Sequence, residues 1–244
     1  MSIPNSYPEP VRVALQRLLD ELQRVQSGLV GGAVYGSLAR GDYHQGEDIG
    51  VVLVFERLSS EVLTAVRGPL RAAWRAVRVR PFLVTRDELP RLADVFPVKI
   101  EDMVAHHALL FGEDPFVGIV VEAADLRLRV EQQLRNHVLR LRRHYIYAGD
   151  DAFELGKAVV GSAQTLGVEL TALLRVCGHP AGAGTLASAR AAASDALELD
   201  DDVLSRLQAV ADGSPDDDMR GLFFGLIAVL ERAVEVVDAV EVAR

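Results

Sequence analysis

Three short apolar runs stand out in the first third of the chain, in a background of apolar residues at helical spacing. Residues 10–26 repeat apolar side chains three and four positions apart, which predicts an amphipathic helix. The apolar runs cover residues 33–35, 49–55 and 77–84. Short runs of this kind, bounded by glycine and polar residues, are typical of strands. The third run begins by alternating Val with Arg, so one side of that strand is expected to be basic.

Helical patterns separate and follow these predicted strands. Residues 59–74 have a helix-start signal and an apolar face on which Trp74 is expected to lie in the core. Thr85 and Glu88 have the spacing of a capping box, which predicts a short helix and makes Glu88 a helix-start acid and not a metal ligand. Residues 94–116 are expected to form a connector that contains a helix over residues 100–110.

From residue 117 to the end, the apolar pattern is helical almost throughout. The predicted helices cover residues 126–145, 153–177, 186–197, 203–210 and 219–242. The turn at residues 111–116 contains Gly112, which ends an element, and Pro115, which delays the next one. The sequence therefore predicts an α+β protein with a small mixed-sheet domain over residues 1–116 and an all-α helical bundle over residues 117–244.

Composition and charge narrow the classes of partner. The chain has 26 Lys and Arg against 35 Asp and Glu, a net charge of −9, which disfavours nonspecific binding to nucleic acid. Its single cysteine, Cys177, excludes an internal disulfide and fits a reducing compartment. No apolar run reaches the roughly 18–20 residues of a membrane span, and the first residues do not form a signal peptide. These features predict a cytoplasmic protein without a membrane or nucleic-acid partner.

The strongest chemical signal lies between the first two predicted strands. Gly36 and Ser37 directly follow the first strand, and residues 38–40 continue as a helical turn. A glycine–serine turn between a strand and a helix start frees backbone N–H groups that bind phosphate. Asp48 precedes the second strand, where a carboxylate would bind the Mg²⁺ that accompanies such a phosphate.

This pattern resembles the nucleotidyltransferase fold of the polymerase beta superfamily, in its minimal or kanamycin-type form. The family has Gly-Ser, a spacer of about ten residues and then Asp-apolar-Asp/Glu; here Gly36-Ser37 and Asp48-Ile49 fit, with residues 38–47 as the spacer. The resemblance implies Mg²⁺ with a nucleoside triphosphate, nucleotide binding by Gly36, Ser37 and Arg40, and a catalytic, metal-binding Asp48. The helical half is similar to HEPN domains.

The sequence departs from this family at two acidic positions. The second acid of the pair falls at position 50, which is Gly50. The third predicted strand, from which the family takes a further carboxylate, carries Arg78 and Arg80 instead. Two metal ions need bridging carboxylates, and acids at i and i+2 of one strand share a face, so Asp48 alone cannot hold two ions.

Three functional hypotheses remain open at this point. The first is a weakened or inactive nucleotidyltransferase-like protein that still binds a nucleotide or serves as an interaction module. The alternative is active Mg²⁺-dependent transfer of a nucleoside monophosphate to a small molecule or a protein, with Asp42 or Glu47 replacing the missing acid. A scaffold without nucleotide binding is a third hypothesis.

The apolar last helix and the long first bundle helix also suggest a homodimer through the helical domain.

Overall fold

The computed structural model describes residues 3–25, 28–181 and 184–240. The chain divides into two compact units, Met1–Val121 and Glu122–Arg244. The strands of the described residues all lie in the first unit, and the second unit is helical. The predicted domain boundary lies at residue 116, and the first compact unit ends at Val121.

The first unit contains a four-stranded sheet with helices before, between and after its strands. Its elements, in chain order, are α1 (Glu9–Arg24), β1 (Leu29–Tyr35), α2 (Ser37–Arg40), β2 (Ile49–Phe55), α3 (Ser60–Val77), β3 (Val79–Thr85), α4 (Glu88–Val95), α5 (Pro97–Ala105) and β4 (His107–Gly112). The predicted end of the first helix, at residue 26, lies outside the described residues.

The sheet is mixed, which confirms the predicted fold class. Its strand order is β3-β2-β1-β4. Strand β1 runs antiparallel to both β2 and β4, and β3 runs parallel to β2. The register places Tyr35 opposite Gly50 and Gly50 beside Arg80. These three residues therefore form a row across the sheet, next to the loop that carries Asp48.

Both faces of the sheet are covered by helices. On one face, alternate residues of the central strands, such as Val34 and Leu53, pack in one cluster with apolar residues of α1 and α3. On the other face, Ala33 and Val52 pack with residues of α4 and α5 such as Ile100. Strand β2 is apolar along nearly its whole length because it is central and buried on both faces.

Two expectations about the first unit are wrong. The helix predicted over residues 100–110 ends at Ala105, and His107–Gly112 is strand β4, because this segment pairs with β1. Ala and Leu prefer helix locally, but the hydrogen bonds of the sheet outweigh this preference here. Trp74 is 40% exposed and does not lie in the core.

The predicted capping box is confirmed. The Thr85 backbone N–H donates to the Glu88 carboxylate at 2.8 Å, and the Glu88 backbone N–H donates to the Thr85 hydroxyl at 3.3 Å. The reciprocal pair satisfies two N–H groups at the start of α4.

The second unit consists of long helices. Its helices are α6 (Ala123–Ala148), α7 (Ala152–Val176), α8 (Leu186–Leu197), α9 (Asp201–Ala211) and α10 (Met219–Ala239). They match the helices predicted from the apolar pattern, although residues 241 and 242 of the last prediction lie outside the described residues. Helix α7 packs on α6, α8, α9 and α10 and carries twelve buried residues, so it forms the centre of the unit. Within the described part of the chain, no helix has the length and apolar character that a membrane crossing requires.

A polar network is buried inside this bundle. His137 is 1% exposed, and its ring nitrogens lie 2.7 Å from the Glu169 carboxylate and 3.0 Å from the Ser162 hydroxyl. The Ser162 hydroxyl donates to the Ala158 carbonyl at 2.7 Å, so the imidazole Nε2–H donates to Ser162. Because each of these side chains has a partner, the network avoids the cost of unpaired buried polar atoms.

Helix α7 approaches the start of α8 closely at Gly167. A Cβ atom at this position would lie 2.4 Å from the Leu186 backbone nitrogen and 2.6 Å from the Thr185 carbonyl carbon. We expect Gly167→Ala to destabilise the bundle by about 1–3 kcal/mol, because backbone atoms must move. Gly161→Ala in the same helix meets no atom within 4 Å and is expected to stabilise it by about 1 kcal/mol. Urea denaturation followed by far-ultraviolet circular dichroism measures both; equal shifts would contradict the close approach.

Candidate functional site

The turn after β1 has the order that the sequence predicted: strand, Gly36, Ser37, short helix. Gly36 has φ +81°, in the region that favours glycine, and Gly41 at the end of α2 has φ +89°. Helix α2 is a single turn, in which the Arg40 N–H donates to the Gly36 carbonyl at 3.0 Å. The two glycines thus confine α2 to four residues.

The Ser37 hydroxyl is engaged by an acid. It donates to the Glu47 carboxylate at 2.8 Å, and the same carboxylate accepts from the His44 backbone N–H at 3.3 Å. A carboxylate therefore occupies the hydrogen-bonding position that a phosphate oxygen would take at Ser37. Nucleotide binding by Gly36 and Ser37 stays a prediction that requires Glu47 to move.

Arg40 is directed into the protein. Its side chain is 10% exposed, and its guanidinium lies 3.1 Å from Asp102 of α5 and 3.4 Å from Asp42. Both Asp42 carboxylate oxygens are buried without a hydrogen-bond partner, and the Arg40 Nε atom, 3.4 Å from one of them, supplies an opposite charge. The geometry gives Arg40 the role of joining α2 to α5, and its predicted contact with a nucleotide stays untested.

Asp48 lies between two arginines. The Arg78 guanidinium donates to one carboxylate oxygen at 2.8 Å through Nε and lies 2.7 Å from it through Nη2. Arg80 of β3 lies 3.0 Å from the other oxygen. Arg78 ends α3 in the left-handed conformation, φ +58°, and its guanidinium stacks over the Trp74 ring at 4.9 Å. Both oxygens that would bind a metal ion are therefore paired with cations.

The space beside Gly50 is filled. A Cβ atom at Gly50 would lie 2.6 Å from two ring carbons of Tyr35, the residue opposite on β1. Burial raises the pKa of the Tyr35 phenol, and the charge of Arg80 opposes that shift. The aromatic ring thus occupies the space into which an acid at position 50 would project.

A lysine that the sequence analysis did not consider completes this surface. The Lys99 ammonium, from α5, lies 4.1 Å from the centre of the Phe82 ring and 5.8 Å from that of Tyr35. Partial burial, and secondly the charge of Arg80, lower the pKa of Lys99. The sequence feature that could have drawn attention to this residue is its rarity, since Lys99 is one of two lysines in the sequence.

The residues at this surface do not fit a pair of Mg²⁺ ions. Arg78, Arg80 and Lys99 bring three positive charges against the one negative charge of Asp48. Among the described residues, no group of three or more His, Cys, Asp or Glu side chains is arranged to hold a metal ion. The two acids considered as replacements point elsewhere, Glu47 to Ser37 and Asp42 to Arg40.

The sheet, the turn and the helical second unit together define a nucleotidyltransferase fold followed by a helical domain. Comparison with solved structures supports this class. The chain is similar to the crystal structure of spectinomycin adenyltransferase AAD(9) from Enterococcus faecialis with ATP and spectinomycin, with a TM-score of 0.59 and 11% sequence identity over 91% of this chain and 98% of that one. No protein-family model and no curated protein sequence matches the chain. At this identity the similarity establishes the fold and not the activity.

The contact between Tyr35 and Gly50 can be tested by substitution. We expect Gly50→Ala to lower the free energy of unfolding by about 1–3 kcal/mol, because the Tyr35 ring must leave its position. In the double variant Tyr35→Ala/Gly50→Ala, the loss should be smaller than the sum of the single losses, since the ring is gone. Trp74, the single tryptophan, reports unfolding of the first unit by fluorescence in urea.

A control substitution separates this contact from a general effect of replacing glycine. Gly68→Ala in α3 meets no atom within 4 Å and should not destabilise the unit. Additive losses in the double variant would show that Tyr35 does not occupy the space beside Gly50.

Proposed function

We propose that this protein is a ligand-binding protein built on the nucleotidyltransferase fold, in which metal-dependent nucleotidyl transfer is weak or lost. The observation that carries the proposal is the pairing of both Asp48 carboxylate oxygens with Arg78 and Arg80. The fold supplies the expectation that the ligand is a nucleotide, since the similar adenyltransferase structure contains ATP.

The charge around Asp48 opposes the binding of Mg²⁺. A divalent cation at this carboxylate would have to displace two guanidinium groups and then remain near them. Transfer of a nucleotidyl group needs cations to neutralise the phosphates in the transition state, and loss of such stabilisation typically costs several kcal/mol, which is orders of magnitude in rate.

A simple change at position 50 does not restore the missing acid. The Tyr35 ring fills the space, and Arg80 is the neighbour of Gly50 on β3. An aspartate at position 50 would displace the ring and form an ion pair with the arginine. We therefore expect Gly50→Asp alone to produce no transferase activity.

The activity itself can be measured directly. The full chain, incubated with α-³²P-labelled ATP, Mg²⁺ or Mn²⁺ and either spectinomycin or a protein acceptor, is expected to give no labelled product above the level of its Asp48→Asn variant. The spectinomycin adenyltransferase serves as the positive control. The physical reason is that Asp48 is bound to arginines, and that position 50, where a second acid would share its strand face, is a glycine.

The same assay tests the alternative, an active transferase in which another acid replaces the missing one. Glu47 is the better candidate, because its carboxylate already lies 2.8 Å from the Ser37 hydroxyl at the turn. Labelled product that disappears in both Asp48→Asn and Glu47→Gln would establish that alternative and overturn the proposal. The cytoplasmic location, the homodimer and the HEPN-like character of the second unit stay predictions.

A further inference from the structure

The sheet surface beside Asp48 has more positive charge than its own acid can neutralise. Arg78 uses two of its nitrogens on Asp48, whereas Arg80 uses one and is 68% exposed. The remaining N–H groups of the Arg80 guanidinium therefore face solvent. An arginine has five N–H donors in a planar arrangement that suits phosphate oxygens.

Among the described residues Lys99 forms no ion pair with an acid. It lies on the same side of β3 as Arg80, because Phe82, whose ring it contacts, follows Arg80 by two residues on that strand. Its ammonium rests on the Phe82 ring at 4.1 Å, and the charge of Arg80 contributes to lowering its pKa. Like charges repel each other, and an anion that contacts both Arg80 and Lys99 removes this repulsion.

Lys157, the other lysine of the chain, can be compared with Lys99. Lys157 also lies over an aromatic ring, that of Phe153, at 5.3 Å. Its ammonium, however, is paired with both carboxylate oxygens of Glu154, at 3.0 and 3.1 Å. The other lysine of the sequence is therefore neutralised within the protein, whereas no acid of the described residues is paired with Lys99.

We infer that Arg80 and Lys99 form a binding site for a phosphate-rich anion that is free of Mg²⁺, such as a nucleoside triphosphate or an inorganic polyphosphate. In this site the cationic side chains take the place of the metal ions that the fold would otherwise use. The inference rests on the proposed function, because it identifies the form of ligand that a nucleotidyltransferase fold without metal-binding acids would accept.

Mg²⁺ is expected to weaken ligand binding at this site, whereas in a transferase it would strengthen binding. Chelation by Mg²⁺ removes two negative charges from a triphosphate and occupies its oxygens. At a carboxylate site the ion bridges protein and ligand and strengthens binding. At a surface with a net positive charge the ion competes with Arg80 and Lys99, so binding of the chelated ligand weakens.

Isothermal titration calorimetry of the full chain tests whether Mg²⁺ weakens or strengthens ligand binding. ATP and inorganic tripolyphosphate are each titrated in EDTA and in excess MgCl₂, at matched ionic strength because salt screens exposed charges. We expect both ligands to bind in EDTA and to bind about tenfold more weakly in MgCl₂. Tighter binding of ATP than of tripolyphosphate would identify the nucleotide as the ligand, and equal binding would identify the polyphosphate chain.

Three substitutions locate the site. Lys99→Met and Arg80→Gln should each weaken binding in EDTA by about tenfold, the size of a lost hydrogen bond to a charged group. Lys157→Met should leave binding unchanged, because Lys157 is already paired with Glu154. The melting temperatures of the three variants are measured first, so that loss of binding is compared only among folded proteins.

The outcomes separate this inference from the proposed function. Absence of ligand binding in EDTA, tighter binding in MgCl₂, or wild-type affinity in Lys99→Met and Arg80→Gln would each overturn the inference. If the labelling assay also detects no transfer, the proposed loss of activity still stands. Transfer that depends on Asp48 would overturn the proposed function itself.

Discussion

The chemistry of the first unit depends on the pairing of Asp48 with Arg78 and Arg80. The parallel register of β2 and β3 brings Arg80 beside the start of β2. Arg78 reaches the same carboxylate from the end of α3, in a left-handed conformation that costs about 1 kcal/mol. Its guanidinium stacks over the Trp74 ring. The arginines are 52% and 68% exposed, so the pairs add little to stability. The ion pairs instead determine the local charge of the surface to which a ligand would bind.

Compared with the site expected for this fold, the negative and the positive charges of the protein have exchanged places. A carboxylate, Glu47, lies at the turn where a phosphate would be bound, and cations lie at the sheet where metal-binding acids would be. The turn nevertheless has the predicted order of strand, glycine, serine and short helix, with Gly36 at φ +81°. The fold and the chemistry of the site are therefore separable here, as is general for folds that support many functions.

Much of the architecture was predictable because local patterns and tertiary packing agree. The apolar strands, the capping box at Thr85 and the long bundle helices carry their own signals of period, capping and composition. Strand β4 was not predictable, because its Ala and Leu residues favour helix locally and only pairing with β1 makes them a strand. Trp74 was wrongly predicted to lie in the core, since an apolar helix face does not reveal which of its residues the neighbouring elements cover.

The sequence by itself determined that the second acid is absent, because position 50 is a glycine whatever the fold. It also determined the glycine–serine turn and the helical second unit. Only the tertiary structure decided what replaces the missing charge. Tyr35, Arg80 and Lys99 come from three elements that are distant in the chain, and their proximity depends on strand register and on the packing of α5. Electrostatic interactions act through space, so a site assembled in this way leaves no continuous motif in the sequence.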